Sequence, residues 1–414
     1  MRDFHNRILG VCLFSFILLA PASPWGQTTV SEDEMLDQLL FGDKLPALDM
    51  EPEQPEATDS TTSELKAVIG EYLVGLPRWE KDFGARLDLG WADNVLLSPF
   101  EKDASGFLKT SIDAFLHRPK DKDGFQTYLY AFGEFTAYSD IKGMKNSSLF
   151  MIQDELGWMG SNQNEIGFQL KYTYYDQVYD ASFNEFDKAS SKVQANQFEI
   201  RPFLRAPATE NIDVGAEAAV IRVLYRDPSE DNFEAQTRFF LNKRYGLGSK
   251  LEVELTGARR EYDNRELRDS SGLPMRGTLK RWSLGGGVNW THNLGARNTW
   301  QIKVNGDFKG IMDDGPGYYD YNLIRGNLSL ARRGLKWKTG LGLGLSKYKY
   351  KAQLGDDGHS ALFRSSIETS LSLERAFGRN WTGFLEWRRE QDFSNARGYE
   401  YNANTISVGG DRSL

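Results

Sequence analysis

From about residue 83 to the end of the 414-residue chain, apolar and polar positions alternate with a period of two. That period puts successive side chains on opposite faces of a strand. In "WQIKVNGDFKG" (300–310), Trp300, Ile302, Val304, Gly306 and Phe308 share one face, and Gln301, Lys303, Asn305, Asp307 and Lys309 share the other. "EIGFQLKYTYY" (165–175), "QFEIRPFLR" (197–205), "FEAQTRFFL" (233–241), "KLEVELTG" (250–257) and "FRSSIETSLSLE" (363–374) divide in the same way. "SSLFMIQDELGWM" (147–159) fits either phase, which suggests a bulge. About sixteen segments of this kind are expected, within a range of 14 to 18, and no helical period interrupts them.

Length and charge decide what kind of sheet this is. Soluble strands average about 5–6 residues. These are about twice that, the length a tilted strand needs to cross a bilayer. The polar phase is charged throughout: Glu252, Glu254 and Arg260; Lys303, Asp307 and Lys309; Arg325; Lys336 and Lys338; Arg364, Glu368 and Glu374; Glu386 and Arg388. A charge facing lipid at the midplane costs about 2–4 kcal/mol, so these faces are expected to line an aqueous lumen. A sheet can span lipid only when closed, because lipid offers no partner to an open edge. The pattern therefore predicts an all-β fold: a transmembrane, antiparallel, up-and-down β-barrel. Trp91, Trp158, Trp290, Trp300, Trp337 and Trp381 fall near segment ends, where interfacial girdles sit. Short links alternate with longer, more polar ones, notably 180–191 and 263–277. The longer ones are expected on the outer side, as constriction loops if they fold inward.

The N-terminus divides into two further regions. Arg2 and Arg7 precede the apolar run "ILGVCLFSFILLA" (8–20), and "APA" (20–22) supplies small residues for cleavage. Residues 1–22 read as a secretory signal peptide. The only cysteine, Cys12, lies within it, which leaves a mature chain without thiol chemistry. Residues 23–66 read as an acidic, flexible periplasmic segment. Between 28 and 64 there are eleven acidic residues against one lysine, Lys44, and prolines at 46, 52 and 55. A short amphipathic helix over 34–43 would let 28–64 dock a periplasmic partner or plug the barrel. The barrel is assigned to 67–414. The net charge of −8 resides mostly in the acidic segment, and without a basic excess nucleic acid is not expected as a partner.

At this point the chain resembles the Gram-negative outer-membrane β-barrel proteins. That resemblance implies an outer-membrane location, contact with outer-membrane lipid, and assembly by the barrel-insertion machinery. The opening strand "LDLGWADNVLLS" (87–98) is similar to the Gly-aromatic-x-Asp-Asn-Val start of exopolysaccharide-secretion barrels and surface lipoprotein assembly modifiers. The last segment keeps its alternation through Ile406, Val408, Gly410 and Leu414, with Arg412 interrupting it.

No catalytic set stands out, so the chain is read as a non-enzyme without cofactor or metal. The four histidines show no metal-ligand spacing, and there is no Gly-x-Ser-x-Gly elbow. "DGHS" (357–360) is the one local candidate for a barrel-embedded hydrolase. "TGLGLGLSK" (339–347) looks at first like a phosphate loop. It ends Ser346-Lys347, without glycine before the lysine and without a helix after it, so it fails that test. Its leucines are expected to face lipid and its glycines the lumen. The inward-phase aromatics Tyr128, Tyr130, Phe132, Tyr175, Phe203 and Phe240 would either fill space or stack on sugar rings. Three functions follow in order: a passive pore for hydrophilic solutes, an export or assembly barrel, and a hydrolase.

Overall fold

The computed structural model describes residues 79–413 apart from 101, 121–123, 140, 142–144, 180–190, 247, 296–298 and 379. The expected signal peptide and acidic segment, and nearly all of the 180–191 link, lie outside the described residues. The first four strands are β1 (Glu80–Ala92), β2 (Ser105–Arg118), β3 (Phe125–Tyr138) and β4 (Asn146–Met159). Then follow β5 (Glu165–Tyr179), β6 (Ser191–Thr209), β7 (Ile212–Tyr225) and β8 (Asn232–Tyr245). The second half has β9 (Ser249–Arg268), β10 (Pro274–Leu294), β11 (Trp300–Asp313) and β12 (Tyr321–Arg333). It ends with β13 (Trp337–Leu354), β14 (Ala361–Ala376), β15 (Trp381–Ser394) and β16 (Tyr401–Ser413).

Each strand pairs antiparallel with its neighbours in sequence, and β1 pairs with β16 to close the barrel. Closure leaves no edge, so every ladder position has a backbone partner, as a bilayer requires. The closing ladder is the shortest, with nine paired positions from Gly84↔Ser413 to Ala92↔Thr405. Every other ladder has at least twelve.

Turns at the end shared by the start of β1 and the end of β16 run from two to six residues. Connections at the opposite end run from five to twelve. By the usual asymmetry of such barrels, the first end is periplasmic and the second outer.

β4 shows why its sequence fitted both phases. It is one strand in unbroken register with β3 and β5, without the expected bulge. Phe150, Ile152 and Trp158 are exposed on the outer surface, while Leu149 and Met151 point inward into a buried cluster. Both faces are apolar for different reasons.

The expected 263–277 loop is instead the upper part of a tall hairpin. β9 and β10 carry the ladder up to Arg268↔Pro274, with register shifts near Thr278, and only 269–273 turns. Gly272 has φ +88°, a left-handed conformation that glycine adopts without strain. Backbone pairing satisfies more polar groups than an irregular loop would, which is why this polar sequence extends rather than folding in.

Candidate functional site: the lumen and its girdles

The outer surface is an apolar belt. On β13, Trp337, Leu341, Leu343 and Leu345 are exposed. The nine residues from Trp337 to Leu345, at about 3.3 Å per residue and a tilt of about 40°, span roughly 20–25 Å. On β10, Trp282, Leu284, Val288 and Leu294 do the same, and on β1, Phe83, Leu87, Leu89 and Trp91. A water-facing barrel would gain nothing from a continuous ring of exposed Leu, Ile, Phe and Trp; only hydrocarbon matches it. The chain is a transmembrane β-barrel of the outer-membrane type.

Solved structures of such barrels align with it at low identity. Pseudomonas putida OprB matches at 10% identity and TM-score 0.45, covering 85% of this chain and 97% of that one. Pseudomonas aeruginosa OpdO matches at 12% and 0.42, over 83% and 99%. An anion-selective porin from Comamonas acidovorans matches at 10% and 0.41, over 81% and 100%. No protein-family model and no curated protein matches the chain.

The girdle of this outer-membrane barrel is built from cross-strand pairs. Trp300 sits opposite Arg332, Trp337 opposite Arg375, and Trp381 opposite Arg412. Each guanidinium lies over its indole, at 5.4, 4.9 and 5.2 Å from the ring centroid. An amphipathic ring and a snorkelling cation suit the boundary between hydrocarbon and water. Arg412, which interrupts the terminal alternation, thus belongs to the girdle. Trp290 stacks on His292 at 5.4 Å, also near the periplasmic end, while Trp91 marks the outer end of β1. Asp154 is an exception within the belt. It faces outward and accepts a hydrogen bond from Thr127 Oγ1 at 3.0 Å.

Inside, a cavity of about 700 Å³ opens among β3–β12. Its wall holds an ionic mesh. Arg238 reaches Glu254 at 2.6 Å, Glu252 at 2.7 Å and Glu217 at 3.3 Å. Glu217 also meets Arg201 at 3.4 Å and Arg205 at 3.9 Å. Arg201 pairs with Glu199 at 2.7 Å, and Arg205 with Glu155 at 3.1 Å and Glu165 at 3.5 Å. Three arginines therefore meet six glutamates, and Lys171, Arg244, Lys250, Lys309 and Arg325 bring the basic side chains of the cavity wall level with its acids.

Five of the expected pore-lining residues take this wall. Glu252, Glu254, Asp307, Lys309 and Arg325 border the cavity, and Arg325 Nε donates to Asp307 at 2.8 Å. Lys303 shares the inward phase of Asp307 on β11. Lys338 pairs with Glu374, and Arg388 with Glu368, further round the barrel. Glu386 receives Arg86 Nη2 across β16 at 3.0 Å. Two placements differ from expectation. Arg364 is sealed away from water and paired with Asp392 at 2.5 Å, and Lys336 lies in the β12–β13 turn.

Arg201, Arg205, Arg238 and Glu217 were not singled out from the sequence. In "TRFFLNKR" aromatic residues occupy both phases, which hides the phase of Arg238, and Glu217 is the lone charge within "AEAAV".

The inward aromatics are not open platforms. Tyr130, Phe132 and Tyr175 are buried in the β3–β7 wall cluster. Tyr128 accepts from Gln153 at 2.8 Å and donates to Glu155 at 3.3 Å. Phe203 and Phe240 lie across the inward sides of Gly167 and Gly215, where a Cβ would overlap the ring. On them rest Arg205 and Arg238, at 4.2 and 4.8 Å. Gly409, Phe384 and Arg86 repeat the stack, with Arg86 at 3.8 Å. Bare glycine gives the ring somewhere to lie, and the ring holds the cation against the wall.

The glycines of β13 follow the same logic. Their leucine neighbours face outward as expected, and Gly340, Gly342 and Gly344 face inward. The room left by their missing side chains is used by Ser372, Ser370 and Asn327 from the adjoining strands.

Among the described residues, two outer connections pack against the inner wall, while the expected 180–191 loop lies almost wholly outside them. Tyr319, from the β11–β12 connection, packs on the inward Tyr262 and Leu279. Ala396 and Tyr399, from the β15–β16 connection, cover Tyr321, Tyr350 and Leu362.

The Asp-Asn-Val motif serves the closing seam. Asp93 accepts the Asn404 backbone N–H at 2.6 Å and its Nδ2 at 2.7 Å. Asn94, buried, donates to the carbonyls of Ser98 and Asn402 and accepts from Ser98 N. In the DGHS turn, the Ser360 hydroxyl donates to Asp357 rather than to His359.

Proposed function

We propose that this barrel is a porin-like pore for small hydrophilic solutes, with no catalytic step. The supporting observation is the cavity of about 700 Å³ lined by the arginine–glutamate mesh. Fixed charges on both signs are already satisfied by one another, so the wall offers water and ions a polar surface with little bare charge. A barrel of about sixteen strands is wide enough for an aqueous channel. The cavity wall carries eight acidic and eight basic side chains, so little selection between small cations and anions is expected.

The test is conductance of the full chain in planar bilayers. Stable steps with little preference between small cations and anions are expected. A silent barrel, for both the full chain and one lacking 28–66, would remove this reading.

A further inference from the structure

We propose that the outward face of β13–β15, just above the apolar belt, binds the phosphates of a phosphorylated glycolipid in the outer leaflet. On β13 the exposed leucines end at Leu345, and Lys347 and Lys349 follow on the same face, both exposed. On β15 the outward phase passes from Leu385 and Trp387 to Arg389, also exposed. None of these three cations has a hydrogen-bond or ion-pair partner among the described residues.

The contrast with another part of the belt's outer edge carries the inference. On the outward face of β7–β10, Arg222 is neutralised by Asp263, and Arg259 and Lys280 by Glu261. Around Lys347, Lys349 and Arg389 the acids point elsewhere. Asp320 holds Lys351 at 2.7 Å, Asp392 is sealed against Arg364, and Glu368 and Glu390 face the lumen beside Arg388. The outward neighbours Ser365 and Thr369 are hydroxyls.

The spacing fits a headgroup carrying more than one phosphate. Lys347 and Lys349 are roughly 7 Å apart along one strand. Lys347 is registered with Ser365, and Arg389 with Thr369, four positions along β14. Two strand spacings and four residue rises put Arg389 roughly 16 Å from Lys347. The strand tilt brings both to similar heights at the level where headgroups begin. An ammonium pair and a guanidinium there meet anionic phosphate without any burial penalty inside the protein.

The full-length protein in detergent micelles, offered a diphosphorylated glucosamine glycolipid, tests this by native mass spectrometry. The wild type is expected to retain that lipid, and the triple variant Lys347→Gln, Lys349→Gln, Arg389→Gln to retain about fivefold less. Lys347→Arg with Lys349→Arg is expected to keep it. Equal retention by the wild type and the triple variant overturns the proposal. So does equal retention of the dephosphorylated glycolipid, which would mark plain acyl-chain contact. Displacement by inorganic phosphate at matched concentration also overturns it, because the site would then be one for free anions. Conductance is read separately and does not enter this outcome.

Discussion

Arg238 lies over Phe240, its guanidinium carbon 4.8 Å from the ring centroid. The ring in turn covers Gly215, its direct cross-strand partner. The stack fixes the plane of the guanidinium, so its N–H groups fan out to Glu217, Glu252 and Glu254. A lysine would offer a point charge without that plane.

Removing the cation should expose the acids it serves. Arg238→Gln leaves Glu252 and Glu254 without a guanidinium and Glu217 with Arg201 and Arg205 alone, and the lumen gains negative charge. Cation-over-anion permeability, read from the reversal potential in a salt gradient, is expected to rise about twofold. Arg238→Lys should fall between the two.

Gly215→Val tests the base of the stack. Its Cβ would overlap the Phe240 ring, which has the Arg238 guanidinium on its other side. The overpacking should cost about 1–3 kcal/mol, read from the urea midpoint of the barrel folded in lipid vesicles. Gly215→Val combined with Phe240→Ala should recover part of that loss.

Trp337 and Arg375 test the girdle. Arg375→Gln is expected to lower stability in vesicles by about 0.5–1 kcal/mol through the lost cation–π contact. The loss should shrink when Trp337 is already alanine, leaving the contact of Arg375 with Phe377 at 5.1 Å, and a double-mutant cycle measures the difference.

Asp93 tests the seam. Asp93→Ala removes two hydrogen bonds from Asn404 at the outer end of the shortest ladder. Amide exchange over β16 should speed up by about tenfold, with β6–β10 unaffected.

The tip of the tall hairpin should respond to acid. Asp269 accepts from the Ser271 hydroxyl and from the backbone of Ser271 and Leu273, and these bonds hold its carboxyl below the usual range. A lowered value means that the turn's order is complete above roughly pH 4 and is lost as pH falls through the depressed value. Exchange rates at 269–273 between pH 5 and pH 2 should show this. Ser271→Ala should move the transition upward.

The barrel itself was legible because lipid and water impose opposite demands on alternate residues. Leu341, Leu343 and Leu345 against Gly340, Gly342 and Gly344 leave little room for another reading. Most lumen charges were legible for the same reason. The mesh at Arg238 was not, because aromatic residues on both faces of "TRFFL" blurred its phase. Arg364 was misplaced because phase tells inward from outward but not wet from dry. Its burial depends on Tyr399, a residue 35 positions away whose approach no periodicity encodes. The roles of Asp93 and Asn94 are long-range too, since they bond to a strand some 300 residues later.

The three tryptophan–arginine pairs have a consequence for the membrane rather than for the pore. They occupy every second hairpin from β11 to β16, all at the periplasmic end. Tilting only shortens a barrel's span, and a barrel held at one depth along that arc cannot shift to share out the mismatch with a thicker bilayer. The neighbouring lipid must thin instead, at a cost of fractions of a kcal/mol per ångström. The strain would be greatest beside β11–β16, so this side should collect short-chain lipid and steer the protein's lateral company in the membrane.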